Sequence, residues 1–361
     1  MFSYRVNRGR NAVDAKAAAD RFRSFVRGEP KGVERVLPKV SVIVPVRDGE
    51  RFLARAIDSA LAQTYQGEVE IVVANDGSTD ATAQVMERYR GRIVAQHLPP
   101  RGHSAARNSA IAASTGEFIA PLDADDEWLT TKLERTMPLF EKYPETVLAY
   151  HDALEVDPSG RVTKESYYAR NQTAPPSLED LLSGCWKGLP ILSCATIFRR
   201  EACERAGGYN ENLDACEDIC LWVLLREQGP FQFLREQLVR REFEANLRRE
   251  EWYIKGVCQL DLVLRERYGE RVAGNFPVPI YTWSGTEALL RGERGLARSR
   301  YLEALRLKPH RLRTWARLFS TFLPLKIVTG TEHRLHGETR PRKSDLTNAS
   351  RTGAPATHSL G

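Results

Sequence analysis

Three features of the sequence predict an α/β fold: a sheet wound with crossover helices, followed by a helical C-terminal part. Short β-branched runs alternate with helical stripes from residue 40 to about residue 150. Carboxylates stand where two of those runs end, and beyond about residue 245 helical spacing takes over. Strands alternating with helices in this way give a parallel sheet with helices packed on its faces. Ligands of such sheets bind outside the carboxyl ends of the strands, so the placing of the acids already bears on function.

Each element has its own reason. "VSVIVPV" (40–46) is short and β-branched, as a buried strand is. "RFLARAIDSALAQTY" sets Phe52, Leu53, Ala56, Ile57, Ala60 and Leu61 on one helical stripe. "EVEIVVAND" (68–76) is a second strand, and "GSTDATAQVMERYR" a second helix with Ser78 or Thr79 as its expected cap. "RIVAQHL" (92–98) is a third strand. The Ala-rich "SAARNSAIAAST" is a helix expected to stop at Gly116 in a left-handed conformation. "EFIAPLD" is the fourth strand, and "EWLTTKLERTM" is expected to be a helix. Beyond it, "VLAYHDALEV" (147–156) reads as a strand, 165–190 as loops, and "FQFL" as a strand that closes the sheet.

Composition narrows the class. With 42% hydrophobic and 28% charged residues the chain is an ordinary globular one. The net charge of +6 gathers in residues 1–39 and near the C-terminus. No zinc finger, helix-turn-helix or aromatic-basic RNA motif accompanies those basic ends, so nucleic acid is not the expected partner. Cys185, Cys194, Cys203, Cys216, Cys220 and Cys258 form no paired CxxC set and read as free thiols of a reducing compartment. The longest uncharged apolar stretch, "GLPILSCATIF", is too short for a membrane span, and no early h-region suggests a signal peptide. A cytoplasmic location is expected.

"EFIAPLDADDEW" (117–128) runs an apolar strand into Asp123, Asp125, Asp126 and Glu127. Such acids repel one another and are costly to desolvate without a counter-charge. Either they form a solvated turn that caps the next helix, or they form a cation site. Their place at a strand end, with Asp76 at another, favours the cation.

The two stretches "VSVIVPVRDGERFLARAIDSALAQTYQGEVEIVVANDGSTDAT" and "RGHSAARNSAIAASTGEFIAPLDADDEW" resemble family 2 glycosyltransferases. The resemblance runs over residues 40–230 and keeps four motifs in order. It implies a GT-A-type, Rossmann-like mixed sheet flanked by helices. It also implies a nucleotide-sugar donor, UDP-linked, a divalent cation (Mn²⁺ or Mg²⁺) and inverting transfer to a saccharide or lipid-linked acceptor. Envelope polysaccharide or glycoconjugate synthesis is the setting that family habit suggests.

Carried over residue by residue, Asp123-Ala124-Asp125 matches the D-x-D element, with Asp125 the direct metal ligand and Asp123 nearer the ribose. Asp126 and Glu127 either share the site or begin the next helix. Asp76 matches the acid that accepts a hydrogen bond from the uracil imide, and Asn75 stands where many relatives carry a second Asp. Pro45 and Val46 should flank base and ribose. Arg47, where relatives often have Tyr, either stacks on the base or is a surface charge. Arg107 either orients the acids or faces the diphosphate, while Asn108 is expected to serve the scaffold. "GGYNENLDACEDICLW" offers Asp218 as base, and Glu217 as its support or an acceptor contact. Trp222 either walls the sugar pocket or fills core. Cys220 replaces a common Asp, and "LVRREFEANLRR" lacks the downstream His of some relatives, leaving Arg240 or Arg241 to supply positive charge. His103 and His151 stand alone and are not expected to bind metal.

The expected organisation is a basic extension (1–38), the GT-A domain (39–245), a helical extension (246–329) and a polar tail (330–361). Within 310–328, Leu312, Trp315, Leu318, Phe319, Phe322 and Leu323 share helical spacing beside Arg311, Arg313, Arg317 and Lys326. That pattern suits a helix in a membrane interface, at the inner face of the membrane, or one docked on the domain. Two competing readings are a non-catalytic sugar-nucleotide binder or scaffold, which needs no base, and a sugar-phosphate nucleotidyltransferase, whose triphosphate loop "PVRDGERF" does not supply.

Overall fold

The structure, a computed structural model, describes residues 36–157, 159–168, 174–183, 191–242 and 247–323. The expected basic extension, except its last three residues, and the expected polar tail lie outside these residues, as do Cys185 and 324–328.

Among the described residues nine strands form one sheet. Its first half is parallel: β1 (Val40–Val46), β2 (Val69–Asp76), β3 (Val94–Leu98) and β4 (Phe118–Pro121) lie in the order β3-β2-β1-β4. Between them run α1 (Leu53–Leu61), α2 (Thr82–Glu87) and α3 (His103–Ala113). Every residue of β1 is buried, which explains its unbroken apolar run. Ala56, Ile57 and Ala60 of α1 are buried as the stripe predicted, and each fully buried Ile, Leu or Val contributes about 2 kcal/mol of hydrophobic stabilisation.

The second half is mixed. β5 (Glu127–Trp128), α4 (Lys132–Thr136), α5 (Pro138–Lys142), β6 (Leu148–Val156), β7 (Val162–Lys164) and α6 (Leu178–Leu182) come first. β8 (Thr196–Arg199), α7 (Arg200–Ala206), α8 (Glu217–Arg226) and β9 (Phe231–Glu242) follow. β8 lies antiparallel between β4 and β6, β9 runs parallel to β6, and β5 pairs antiparallel with β9.

Several local expectations are corrected. Glu127 and Trp128 do not begin a helix: they pair with Arg240 and Val239, and the helix starts only at Lys132. Burial of Trp128, whose indole N–H donates to Cys194 O at 3.0 Å, outweighs the helical spacing. Gly116 is needed for close approach rather than for a left-handed turn, because a Cβ there would meet Ser41 N at 2.7 Å. Neither Ser78 nor Thr79 caps α2; both are taken up by the loop after β1. "FQFL" is only the start of β9, a twelve-residue strand.

After β9 the chain is helical: α9 (Leu247–Tyr268), α10 (Pro277–Leu290), α11 (Arg294–Leu307) and α12 (Leu312–Ser320). Val257, Leu260 and Leu264 of α9 join the main core. α10 to α12 enclose a second one of Ala288, Leu289, Ala297, Tyr301, Leu305 and Leu318. No helix of the described residues is long and apolar enough to cross a membrane.

Candidate active site

The carboxyl ends of β1 and β2 carry two loops that clamp each other. Asp48 N–H donates to Ser78 Oγ at 2.9 Å, and Thr79 N–H returns a bond to Asp48 Oδ1 at 2.8 Å. Gly49 N–H donates to Thr82 Oγ1, Glu50 N–H to Asp80 Oδ2, and Ala81 N–H to Glu50 Oε2. Asp48 takes a positive φ of 50° to make this fit. Pro45 and Val46 are buried at the strand end beneath the clamp, and Arg47 projects beyond them, exposed. Asp76 ends β2, and its carboxylate accepts from the backbone N–H groups of Arg101 (2.7 Å) and Gly102 (2.9 Å). Asn75 Oδ1 accepts from Ser78 N–H, so the amide shapes the turn.

The acids lie in a tight turn after β4, with Asp126 N–H donating to Asp123 O at 3.1 Å. Asp126 is buried. Burial first, then the charges of Asp125 and Asp123, push its carboxyl well above the usual range. The Cys194 thiol, itself held protonated by burial and by these acids, hydrogen-bonds to it. Ligand-capable atoms of Asp123, Asp126 and Cys194 lie within 4.8 Å of one another. Asp125 stands outside that group, its backbone carbonyl accepting from Arg55 Nη2 at 2.7 Å. The same guanidinium reaches Glu242 Oε2 at 2.9 Å, tying α1 and the acidic turn to the end of β9. Two carboxylates, that of Asp126 buried and that of Asp123 partly exposed, suit a hard divalent cation; a protonated thiol adds no oxygen donor.

Arg107, buried in α3, joins the two halves of the site. Its Nη2 donates to Asp123 Oδ1 at 2.7 Å, its Nη1 pairs with Glu217, and its guanidinium lies 5.3 Å from the centre of the Tyr209 ring. The two carboxylates hold its pKa above the usual arginine value against the cost of burial. Asn108 serves the scaffold as expected: its amide exchanges bonds of 2.8 Å with the backbone C=O and N–H of Tyr209.

Asp218 lies beside this pair, in the first turn of α8. Burial, then the charge of Glu217, pushes its carboxyl up to about 7, against the opposing pull of Arg107 and of Ile219 N–H. Cys216, the residue that leads into the helix, has a φ of 64°, a strained conformation for a side chain with a Cβ.

Residues 41–207 match the family described as glycosyl transferase family 2. They form a family 2 glycosyltransferase domain. An uncharacterized glycosyltransferase of Rickettsia felis is 31% identical over 217 residues, which are 58% of this chain and 35% of the relative. A hyaluronan synthase of Pasteurella multocida is 27% identical over 60% of this chain and 21% of its own length. The chain thus spans about a third of the Rickettsia relative and a fifth of the synthase. S. aureus TarS 1–349, solved in complex with UDP-GlcNAc, superposes with a TM-score of 0.56 at 18% identity, over 79% of this chain and 89% of that one. That likeness bears on the fold, which is of the GT-A type.

In this family 2 domain the structure brings Asp123, Arg107, Glu217 and Asp218 together but withdraws Trp222. Trp222 is fully buried, packs edge-on against Phe198 and donates its indole N–H to Ile191 O at 3.1 Å; of the two roles open to it, core is the one it has. Glu217, engaged by Arg107, is likewise mostly buried. Cys220 is buried in α8. Arg240 pairs with Glu127 at 3.7 Å, and Arg241, bridged to Glu155 at 3.6 Å, is the cation whose charge acts on Asp126 and Cys194. His103 begins α3; His151 is buried in β6, where burial and the charge of Lys132 lower its pKa to about 3. Neither belongs to the Asp123–Asp126–Cys194 group. Cys194 was missed because it comes from an element outside the motif stretches, and Arg55 and Tyr209 because nothing in the stretches that contain them marks their contacts.

Proposed function

We propose that the chain is a metal-dependent, inverting glycosyltransferase that moves a sugar from a UDP-linked donor to a saccharide or lipid-linked acceptor. The observation that carries this reading is Asp218, raised to about 7 beside an arginine that also holds Asp123. A binding protein or scaffold has no use for a carboxylate poised near neutral pH, whereas a general base does. Asp218 takes the proton of the acceptor hydroxyl as its oxygen bonds to the anomeric carbon, and the bond from that carbon to the diphosphate oxygen breaks. Asp76 receives the imide N–H of the uracil ring; Pro45, Val46 and Arg47 line the base and ribose. Asp123 and Asp126, with Asp125 alongside, would hold Mn²⁺ or Mg²⁺. Such a cation neutralises the charge that grows on the leaving diphosphate.

The test is release of UDP from a panel of UDP-sugars with Mn²⁺ present. The expected result is turnover of one donor that ceases with EDTA, with Asp123→Ala and with Asp218→Asn. Nucleotide binding without turnover on any donor would leave a sugar-nucleotide binder instead.

The membrane contact belongs to the same reading. α12 buries Thr314 and Leu318 against α11 but leaves Leu312 80% and Phe319 63% exposed, with Trp315 stacked on Phe319. Arg311, Arg313 and Arg317 flank this face, a composition that suits an anionic lipid surface. The chain should float with phosphatidylglycerol vesicles and not with phosphatidylcholine ones, and Trp315→Ser with Phe319→Ser should abolish flotation.

A further inference from the structure

Trp222 is core and Glu217 is paired with Arg107, and one cleft near the site offers further chemistry for an acceptor. It lies where the loop before α3, the 210–214 loop and the first turns of α9 meet. Its volume is about 200 Å³, and its lining includes Arg101, His103, Glu211, Asp214 and Trp252. Trp252 is 44% exposed, although its neighbours Ile254 and Val257 are buried. We propose that this cleft binds a neutral sugar ring of the acceptor, with Trp252 as its platform and Glu211 and Asp214 as its hydroxyl acceptors. This rests on the glycosyltransferase reading and deepens it.

Three observations carry the inference. The first is charge balance. Arg101 Nη2 pairs with Glu211 Oε2 at 2.8 Å, and Lys255 Nζ with Asp214 Oδ2 at 2.5 Å. With Lys255, which stands outside the lining, these groups sum to no net charge, and no excess of positive charge invites a phosphate or an acidic sugar, which suits a neutral ring. The second is hydrogen-bond pattern. A sugar hydroxyl both donates and accepts, and a guanidinium–carboxylate pair offers donors and acceptors side by side. The carboxylates are also held in place: Gln259 exchanges bonds with Asp214 N–H and Oδ2 at 3.1 and 3.0 Å, and Asn108 Nδ2 donates to Glu211 Oε1 at 3.1 Å. Both side chains nonetheless remain about two-fifths exposed. The half-exposed indole complements them with an apolar face for the C–H side of a pyranose.

The third is continuity with the base. A Cβ on Gly256 would stand 2.9 Å from Ala215 Cα, so α9 lies directly against the loop that leads to Asp218. Tyr253, next to Trp252, hydrogen-bonds with Cys216 and feels the charge of Asp218. One helix turn thus carries both Trp252, which lines the cleft, and Tyr253, which bonds to the residue two before Asp218.

The full chain, with UDP and Mn²⁺ present, would be titrated with methyl glycosides of glucose, galactose and N-acetylglucosamine and with the corresponding sugar 1-phosphates. Tryptophan fluorescence and ligand-observed NMR would read binding. The expected result is saturable binding of at least one neutral glycoside, weakened about tenfold or more in Trp252→Ala and restored in Trp252→Tyr. Asp214→Asn should weaken it as well, and thermal unfolding would confirm that each variant is folded. The inference is overturned if no glycoside binds, if Trp252→Ala binds as wild type does, or if only the sugar 1-phosphates bind. UDP-sugar turnover by wild type is measured in parallel: glycoside binding through Trp252 without turnover of any donor would sink the transferase reading and leave the saccharide cleft standing.

Discussion

At Arg107 one guanidinium serves two carboxylates that the chain brings from opposite directions, Asp123 after β4 and Glu217 at the head of α8. Removing a partner from a buried ion pair leaves an uncompensated charge, so Arg107→Met should destabilise the fold by about 3 kcal/mol in denaturant titration. It should also raise the pKa of Asp218 further, because Arg107 is one of the groups that lower it. The sign for catalysis is clear: a base must be deprotonated, so kcat/KM should climb as pH rises through about 7. Glu217→Gln removes the neighbouring charge that raises this carboxyl and should move the climb to lower pH. For stability the sign is opposite. A folded-state pKa above the unfolded value means that this group's contribution is full in acid and is lost as pH rises through about 7. Trp222→Ala tests the core assignment, with an expected loss of about 4 kcal/mol.

At the scale of elements, the closeness of α9 to the 213–218 loop depends on Gly256. A methyl group there would meet Ala215 Cβ at 2.4 Å and its backbone carbonyl carbon at 3.0 Å. Gly256→Ala should therefore leave helix content by circular dichroism unchanged while turnover falls, since the backbone leading to Asp218 must shift. β1, β2 and β4 were legible because β-branched or unbroken apolar runs mark a doubly covered strand, and the helical stripe of α1 was equally plain. β5 was not legible: a two-residue strand is defined by its partner, and Arg240 and Val239 lie more than a hundred residues away. The loop capture of Ser78 and Thr79 was hidden for the same reason. Of the site, the placing of the acids at strand ends and the scaffold duty of Asn108 were readable, whereas the grouping of Asp126 rather than Asp125 with Asp123 was not. Cys194 beside Asp126 and the cleft around Trp252 were not, because only tertiary packing brings them there.

Across the whole molecule the two apolar cores should behave differently. The α10–α12 cluster is small and ends at Leu318, so amides of 312–320 should exchange with deuterium well before those of β1 and β2, as mass spectrometry can follow. The clamp between the loops after β1 and β2 has the opposite character. Five reciprocal bonds already hold the backbone where the nucleobase would arrive. A ligand entering a ready-made socket orders little chain, so its affinity is not diminished by lost conformational freedom. Calorimetry of UDP binding should accordingly give a heat-capacity change matching the area of one nucleotide alone, without the larger negative value that accompanies coupled folding.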